Sequence, residues 1–543
     1  MKKIAGLVWL WATFLTCLTI ALSRPVEAQI PASPIRLDDD QPVTLRFYGA
    51  PDADLFTHEL DASFQGVLKE NFYATAKDGF PAGFISASAP GMPWGGTMWT
   101  RDAGTFLREL VMRGYYQHAA LIVECLMHLV EKNPDGFYTF PRYFKGSTRD
   151  TGTEFDGTGA IVIAMEALWE RLPQEDPTRQ DIQRFLFADS SPVNYFRFAL
   201  QEEPLIAGTG EFGCGMKITG RCYNVVQNNL IMLAVMAMAR MADESGMPTA
   251  ASDDRLLADK LRAGMEKYLV DRDGAWIWAV DTRTLNPDPA VLDNPVNLGT
   301  GSLNGVGSMY ADVLGFLPLD SQWSGVEHSE KTFATLYETP LRKKEFDRYG
   351  IWTQTDLLGD GLGTSPSYGQ GYATQDMLLF DKLDMASKAL SWLADATYNP
   401  VPGYKIRRAS PYYFYERTYS PDAVGKIELE EGCGALNLVN VSEPLKVARL
   451  LLGVDDLLPD FVRIIPRIPP DWKGVEAANW PIWTGHSIVR AHIQFENRGT
   501  GAELTVSLAP GQKIDDLKVR MPSKNGYVWE VRRHVNKVRI ETR

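Results

Sequence analysis

The sequence is poor in the residues that build metal and redox sites. It has only 5 Cys and 7 His in 543 residues, with neither a CxxC pair nor an HExxH motif. Zinc sites need several such side chains at short spacings. The composition therefore argues against a zinc site. We expect no cofactor, and the sequence leaves a structural calcium ion open.

Basic residues are outnumbered by acids. Lys and Arg total 55 against 68 Asp and Glu, which gives a formal net charge of −13, and no basic tract occurs. Nucleic-acid binding relies on clustered Lys and Arg that neutralise phosphates. We therefore expect no nucleic-acid partner. With 14 Trp and 21 Tyr, the chain has many flat rings that suit either a packed core or the faces of a carbohydrate.

Long apolar runs are absent after the N-terminus. At the N-terminus itself, Lys2 and Lys3 precede an apolar stretch over residues 4–22. Val-Glu-Ala at 26–28 then offers a cleavage point. This layout is typical of a secretory signal peptide, with an uncleaved membrane anchor as the alternative. We expect a signal peptide over 1–28 and an exported protein, periplasmic or secreted, with no membrane contact after cleavage. The sequence does not indicate the oligomeric state.

The cysteines fit an exported protein without defining its fold. Cys214 and Cys222 flank a short loop and could pair in an oxidising compartment. Cys125 lies inside an apolar run with helical spacing, which predicts a buried, unpaired thiol.

Apolar residues recur with helical spacing through most of the chain. The pattern predicts helices near 61–72, 103–113, 115–132, 157–172, 179–188, 191–201, 223–245, 251–270, 307–316, 329–338, 368–397 (two helices) and 434–453. The loops at 133–138 and 272–276 resemble each other, and each follows a long predicted helix. Such a weak repeat is expected from stacked helical hairpins.

The character of the sequence changes after Gly453. Apolar and polar residues alternate at 487–495 and 502–508, and turn residues separate these runs. This predicts a small antiparallel β-domain. The expected organisation is a signal peptide (1–28), an extended or β segment (29–60), a helical body (61–455) and a C-terminal β-sandwich-like domain (456–543).

Acids, glycines and aromatics concentrate in four loops between predicted helices. The loops hold Trp99, Arg101 and Asp102; Glu154 and Asp156; Glu211 among four glycines; and Glu428, Glu430 and Glu431. Acids at helix starts also serve as caps or complement the helix dipole. Glycoside hydrolysis needs one protonated carboxylic acid and one carboxylate, and loops on one side of a helical body can supply both.

The segment Trp99-Thr100-Arg101-Asp102 resembles the Trp-x-Arg-Asp signature of glucoamylases and related (α/α)6-barrel glycosidases. The resemblance implies that Arg101 and Asp102 bind the sugar next to the scissile bond, beside Trp99. It also implies that Glu211 is the general acid, and that Glu430 or Glu431 is the general base. Asp156 resembles the next substrate-side loop of that family, and Glu154 is an alternative acid.

Tyr368 and Gln370 add an aromatic and an amide group for sugar hydroxyls. The resemblance implies an (α/α)6 toroid of helical hairpins with a C-terminal β-domain. We expect an exported glycosidase, exo-acting and inverting, with a carbohydrate substrate. The alternatives are a glycoside phosphorylase, a polysaccharide lyase on the same toroid, and a non-catalytic carbohydrate-binding protein.

Overall fold

The computed structural model of the protein describes residues 42–150, 155–201, 203–208, 222–277, 279–283, 285, 324–338, 340, 343, 363–364, 368–398, 417–419, 429–430, 436–457, 461–499 and 501–543. The helices in these residues are α1 (Pro51–Gly66), α2 (Thr100–Met112), α3 (Tyr116–Leu129), α4 (Phe155–Arg171), α5 (Pro177–Leu186), α6 (Pro192–Ala199), α7 (Val225–Glu244), α8 (Pro248–Tyr268), α9 (Ser324–Tyr337), α10 (Tyr368–Leu379), α11 (Leu383–Tyr398) and α12 (Leu438–Leu452). A π-helical turn (Val67–Asn71) extends α1.

Short strands connect the helices, and longer strands form the C-terminal domain. They are β1 (Thr44–Tyr48), β2 (Thr97–Trp99), β3 (Glu131–Lys132), β4 (Tyr138–Thr139), β5 (Tyr143–Lys145), β6 (Thr148–Arg149), β7 (Ala207–Gly208), β8 (Cys222–Asn224), β9 (Ala279–Asp281), β10 (Gly363–Thr364), β11 (Arg417–Tyr419), β12 (Leu429–Glu430), β13 (Val454–Asp455), β14 (Val462–Ile464), β15 (Gly474–Trp483), β16 (Ile488–Arg498), β17 (Gly501–Leu508), β18 (Ile514–Ser523), β19 (Gly526–Val535) and β20 (Lys537–Glu541).

Five helices form the centre of the helical body. Helices α10, α12, α2, α4 and α7 pack side by side in that order, and we call them the core helices. Helices α3, α5, α8 and α11 pack against the core helices that precede them in sequence, and α1 packs against α12. Every residue of α4 and of α12 is buried. This alternation of a core helix with a partner helix is the pattern expected of helical hairpins.

Four of the core helices, α12, α2, α4 and α7, run parallel to one another. Successive contacts between neighbours advance in the same direction on both helices: Thr100 with Gly157 and Gly104 with Ala160, Thr105 with Ser442 and Glu109 with Arg449, Gly159 with Leu230 and Glu166 with Arg240. Their N-terminal ends therefore lie at the same end of the helical body, which we call the N-terminal end of the core.

Ion pairs with at least one buried side chain join neighbouring core helices. Glu109 of α2 and Arg449 of α12 are both buried, with Oε1 and Nη2 3.1 Å apart. Arg240 of α7 lies 2.6 Å from the carboxylate of Glu166 on α4. Charges taken out of water need such partners, because an isolated buried charge is strongly unfavourable.

Local sequence explains where α7 and α12 begin or end. The Asn224 side chain accepts hydrogen bonds from the backbone N–H groups of Val226 and Gln227, which caps the start of α7. Gly453 ends α12 with a φ of +78°, and a Cβ there would lie 2.0 Å from the carbonyl oxygen of Ile465. A residue with a side chain would clash at this junction, so the glycine is required.

The C-terminal β-domain contains two sheets, ordered β1-β15-β16-β17-β20 and β13-β14-β18-β19. Buried residues such as Ile493, Val506 and Val519 alternate along the strands with more exposed ones. The predicted β-domain is therefore present, but two details differ from the prediction. Strand β14 pairs with β18 in parallel, and β1, from the N-terminal part of the chain, pairs with β15.

The structure also tests the predicted start of the first helix and the predicted states of the cysteines. The helix predicted at 61–72 begins ten residues earlier, at Pro51, because proline suits the first turn of a helix. Cys125 is a buried free thiol, as expected, and burial raises its pKa to about 12. Cys222 is disulfide-bonded, whereas Cys214 lies outside the described residues, as do the predicted signal peptide (1–28) and the helix predicted at 307–316.

One helix in the described part of the chain is long and apolar enough to cross a membrane, contrary to the sequence expectation. It is α7, and 89% of its most apolar window is buried inside the protein. Its neighbours α4 and α8 cover it.

We expect Glu109→Ala to lower the free energy of unfolding by about 3–5 kcal/mol, because it leaves Arg449 buried without its acid. The control is Asp243→Ala, which removes the exposed partner of Arg255 and should cost less than about 1 kcal/mol. Urea denaturation of both variants measures the difference. Equal losses would contradict the role assigned to the buried pair.

Candidate active site

Three of the predicted site residues meet at the N-terminal end of the core. Arg101 and Asp102 are in the first turn of α2, and Asp156 is in the first turn of α4. The Arg101 guanidinium lies 3.5 Å from Asp102 Oδ1, measured from Nε, and 3.5 Å from Asp156 Oδ2, measured from Nη1. The sequence predicted all three residues, and the structure brings them together.

This cluster is almost completely enclosed. Asp102 is 4% exposed and Asp156 is 1% exposed, and the Arg101 side chain is 12% exposed. Two carboxylates against one guanidinium give the three side chains a formal net charge of −1. Such a group can accept hydrogen bonds from hydroxyls and donate them through the arginine.

Glycine allows the two helices to approach closely enough for this contact. A Cβ on Gly157 would lie 2.5 Å from Thr100 Oγ1 and 2.9 Å from the backbone nitrogen of Arg101. The backbone N–H of Gly157 also donates to Asp156 Oδ1 at 2.8 Å, which fixes that carboxylate. Gly157 therefore determines the distance between Asp156 and Arg101.

An aromatic surface adjoins the cluster. Trp99 is the last residue of β2, two positions before Arg101. Its ring centroid lies 5.3 Å from that of Trp94 and 5.1 Å from that of Tyr143. The Arg142 guanidinium sits over Trp99, and its Nε lies 3.0 Å from Asp150 Oδ2, which balances its charge. Trp94 is 36% exposed. This surface can stack against the apolar face of a sugar ring.

The described strands that flank the predicted acid Glu211 lie at the same end of the core. Glu211 lies outside the described residues, in the segment 209–221 between β7 and β8. These strands pair at Gly208 and Cys222, and β8 leads directly into the N-terminus of α7. Gly208 and Cys222, the described residues nearest to Glu211 on either side, are therefore neighbours.

The base candidates precede α12 in the sequence. The backbone of Glu430 lies in β12 and pairs with Arg417, but its side chain lies outside the described residues. Glu431 and the alternative acid Glu154 also lie outside them. Tyr368 and Gln370 are in the first turn of α10, and their side chains are not among those described.

The structure adds a buried polar group that the sequence analysis missed. On α12, Glu443 accepts from Gln375 Nε2 of α10 at 2.7 Å and from Lys446 Nζ at 2.9 Å. All three side chains are fully buried. The signal was present in the sequence as an acid and a lysine three positions apart inside a predicted helix.

Another buried charged side chain lies further along α2. Arg108 of α2 is buried, and desolvation, with like-charge repulsion from Arg449, lowers its pKa to about 10 despite the opposing effect of Glu166. It therefore stays protonated at neutral pH. The interior of the core helices therefore contains charged and hydrogen-bonded side chains in addition to apolar ones.

An open cleft of about 450 Å³ lies elsewhere, along residues 76–81 with His128, Leu129 and Ser147. Its only ion pair, between Lys77 and Asp78, is exposed and 3.9 Å long. The cleft has no enclosed carboxylates among the described residues. We therefore place the candidate active site at the Arg101 cluster.

We expect Gly157→Ala to destabilise the protein by about 1–3 kcal/mol, since the new methyl group would meet the backbone of α2. In an unhindered helix the same change is stabilising by up to about 1 kcal/mol. The control is Gly66→Ala in α1, where the nearest atoms are the mobile methyl groups of Leu436. Chemical denaturation compares the free energies of unfolding of the two variants. Equal values would show that the space between α2 and α4 can hold an added methyl group.

No family model matches the chain, and no curated protein matches it in sequence. Among solved structures, it is similar to an α-L-rhamnosidase from Dictyoglumus thermophilum, with 11% identity and a TM-score of 0.52 over 92% of this chain and 50% of that chain. A rhamnosidase of Bacillus sp. GL1 (11% identity, TM-score 0.48, 88% and 42% coverage) and a glycosidase (14%, 0.47, 76% and 100%) also match. The chain spans about half the length of the first rhamnosidase, with which it shares a fold of helical body and β-domain.

Proposed function

We propose that this chain is an exported glycoside hydrolase that acts at the N-terminal end of the core. The observation that carries the proposal is the enclosed Arg101–Asp102–Asp156 cluster beside an aromatic surface. Enclosed carboxylates and an arginine suit the hydroxyls of a sugar, and exposed rings suit its apolar face. The shared fold with a protein named as a rhamnosidase agrees with this chemistry.

The proposed mechanism uses two further carboxylates. Glu211 gives its proton to the glycosidic oxygen, and Glu430 or Glu431 activates a water molecule on the opposite face of the sugar ring. Arg101, Asp102 and Asp156 hold the ring hydroxyls, with Tyr368 and Gln370 as further contacts. This arrangement inverts the anomeric centre, and the enzyme removes terminal sugars.

The charge of the cluster favours a neutral sugar. A formal net charge of −1 repels an anionic uronate, which a polysaccharide lyase would need to bind and neutralise. A phosphorylase would equally need a cationic site for phosphate, and the arginine of this cluster is already in contact with two acids. Hydrolysis of a neutral glycoside is therefore the function that we favour.

The proposal includes two features of the whole protein. The core helices belong to an (α/α)6 toroid. The protein is exported by cleavage after Ala28, which N-terminal sequencing of the mature protein tests directly.

We expect Glu211→Gln to reduce kcat by about 10²–10⁴-fold, because an amide cannot donate the proton that the leaving group needs. Release of sugar from natural oligosaccharides, whose leaving groups need that proton, measures the rate, and thermal unfolding confirms the fold. The control is Glu131→Gln, which changes an exposed acid and should leave kcat unaltered. Full activity of Glu211→Gln would rule out its assignment as the acid.

We expect only one of Glu430→Gln and Glu431→Gln to lose turnover, since a single carboxylate activates water. The other variant should keep kcat within a few-fold and serves as its matched control. NMR of the first-formed product should show the inverted anomer. A retained anomer would instead indicate a covalent intermediate and a carboxylate pair about 5–5.5 Å apart.

A further inference from the structure

Strand β19 carries an unusual concentration of exposed apolar side chains. Four of the seven large hydrophobic side chains exposed in the described part of the chain lie on it: Tyr527 (38%), Val528 (37%), Trp529 (47%) and Val531 (53%). Trp, Tyr and Arg are the residues enriched at protein interfaces, and Arg532 and Arg533 follow directly. This composition indicates a contact surface rather than a solvated strand.

The strand is also an edge. In its sheet, β19 pairs on one side with β18, from Ser523↔Gly526 to Ile514↔Val535, and it is last in the order β13-β14-β18-β19 of the described strands. It is ten residues long. A long edge strand presents a row of unpaired backbone N–H and C=O groups, which is a template for another strand.

The side chains of β19 are complementary to themselves. If two copies pair antiparallel about Val531, Val531 meets its own copy, and each Glu530 lies opposite the Arg532 of the other chain. Trp529 then lies opposite Arg533. Directly opposite residues share a face of the sheet, so the register gives two ion pairs, two cation–π contacts and a central apolar pair.

We propose that β19 pairs with β19 of a second copy of this chain, in this register, to form a two-fold symmetric dimer. The arginines would ordinarily protect an edge from pairing, since charged side chains are a common means of doing so. In this register each arginine faces an acid or an aromatic ring, so its charge favours one partner instead. A self-complementary patch with a two-fold axis is the commonest basis of homodimers.

The first test is the mass of the mature protein in solution, measured by light scattering after gel filtration. We expect twice the chain mass. Val531→Lys should yield the monomer, because the two ammonium groups would meet at the axis. The control is Leu256→Lys, which changes a 65% exposed residue of α8 and should remain dimeric. A monomeric wild type, or a dimeric Val531→Lys, would overturn the proposal.

A charge exchange tests the register. Glu530→Arg alone and Arg532→Glu alone should each be monomeric, because like charges then face each other. An equimolar mixture of these two variants should form a heterodimer, and the double variant with both changes should recover the homodimer. Failure of both recoveries, with circular dichroism showing folded chains, would contradict this pairing. Activity on glycosides is measured separately, so loss of the dimer and loss of the proposed function are distinguishable.

Discussion

The candidate active site depends on the direct contact between the first turns of α2 and α4. Gly157 permits that contact, because any side chain there would meet Thr100 and the backbone of Arg101. Once the two helix starts touch, Asp156 and Asp102 come within reach of the same guanidinium. The arginine in turn makes it tolerable to enclose two carboxylates, since it supplies the opposite charge that burial requires. Backbone spacing, charge balance and site geometry are thus set by one close approach.

Buried acids are paired with bases further along the core helices as well. Glu109 with Arg449, and Glu443 with Lys446, place acids and bases in an interior that globular proteins ordinarily fill with apolar side chains. The Glu109–Arg449 pair joins α2 to α12, and Glu443 also accepts from Gln375 of α10. These two contacts restrict how the helices can slide or rotate against each other. A helical body whose parallel helices are held in register in this way can support loops that carry catalytic groups at one end.

Much of the architecture could be predicted from the sequence. The helical periodicity and the change at Gly453 identified the helical body and the β-domain, because burial of one helix face or one sheet face leaves a direct trace in the pattern. The start of α1 was misplaced, since the helix begins at Pro51 in a polar stretch where periodicity is weak. The parallel β14–β18 pair and the return of β1 to β15 were missed. Strand pairing is a long-range choice that period-two alternation does not encode. At the candidate site, the motif Trp-x-Arg-Asp predicted Arg101 and Asp102, and their roles stay predictions. Glu443 was missed because a buried acid inside a helix resembles a surface position in the sequence.

The pairing of β1 with β15 has a consequence for how the chain folds during synthesis. Strand β1 leaves the ribosome early, but its pairing partner and the Trp472 ring that packs on Phe47 come from near the other end of the chain. Helix α1 likewise packs against α11 and α12, which are made late. β1 and α1 therefore cannot form these contacts until almost the whole polypeptide has been made. Closing such a long loop is slow, so completion of the native structure is expected to follow the end of translation rather than accompany it.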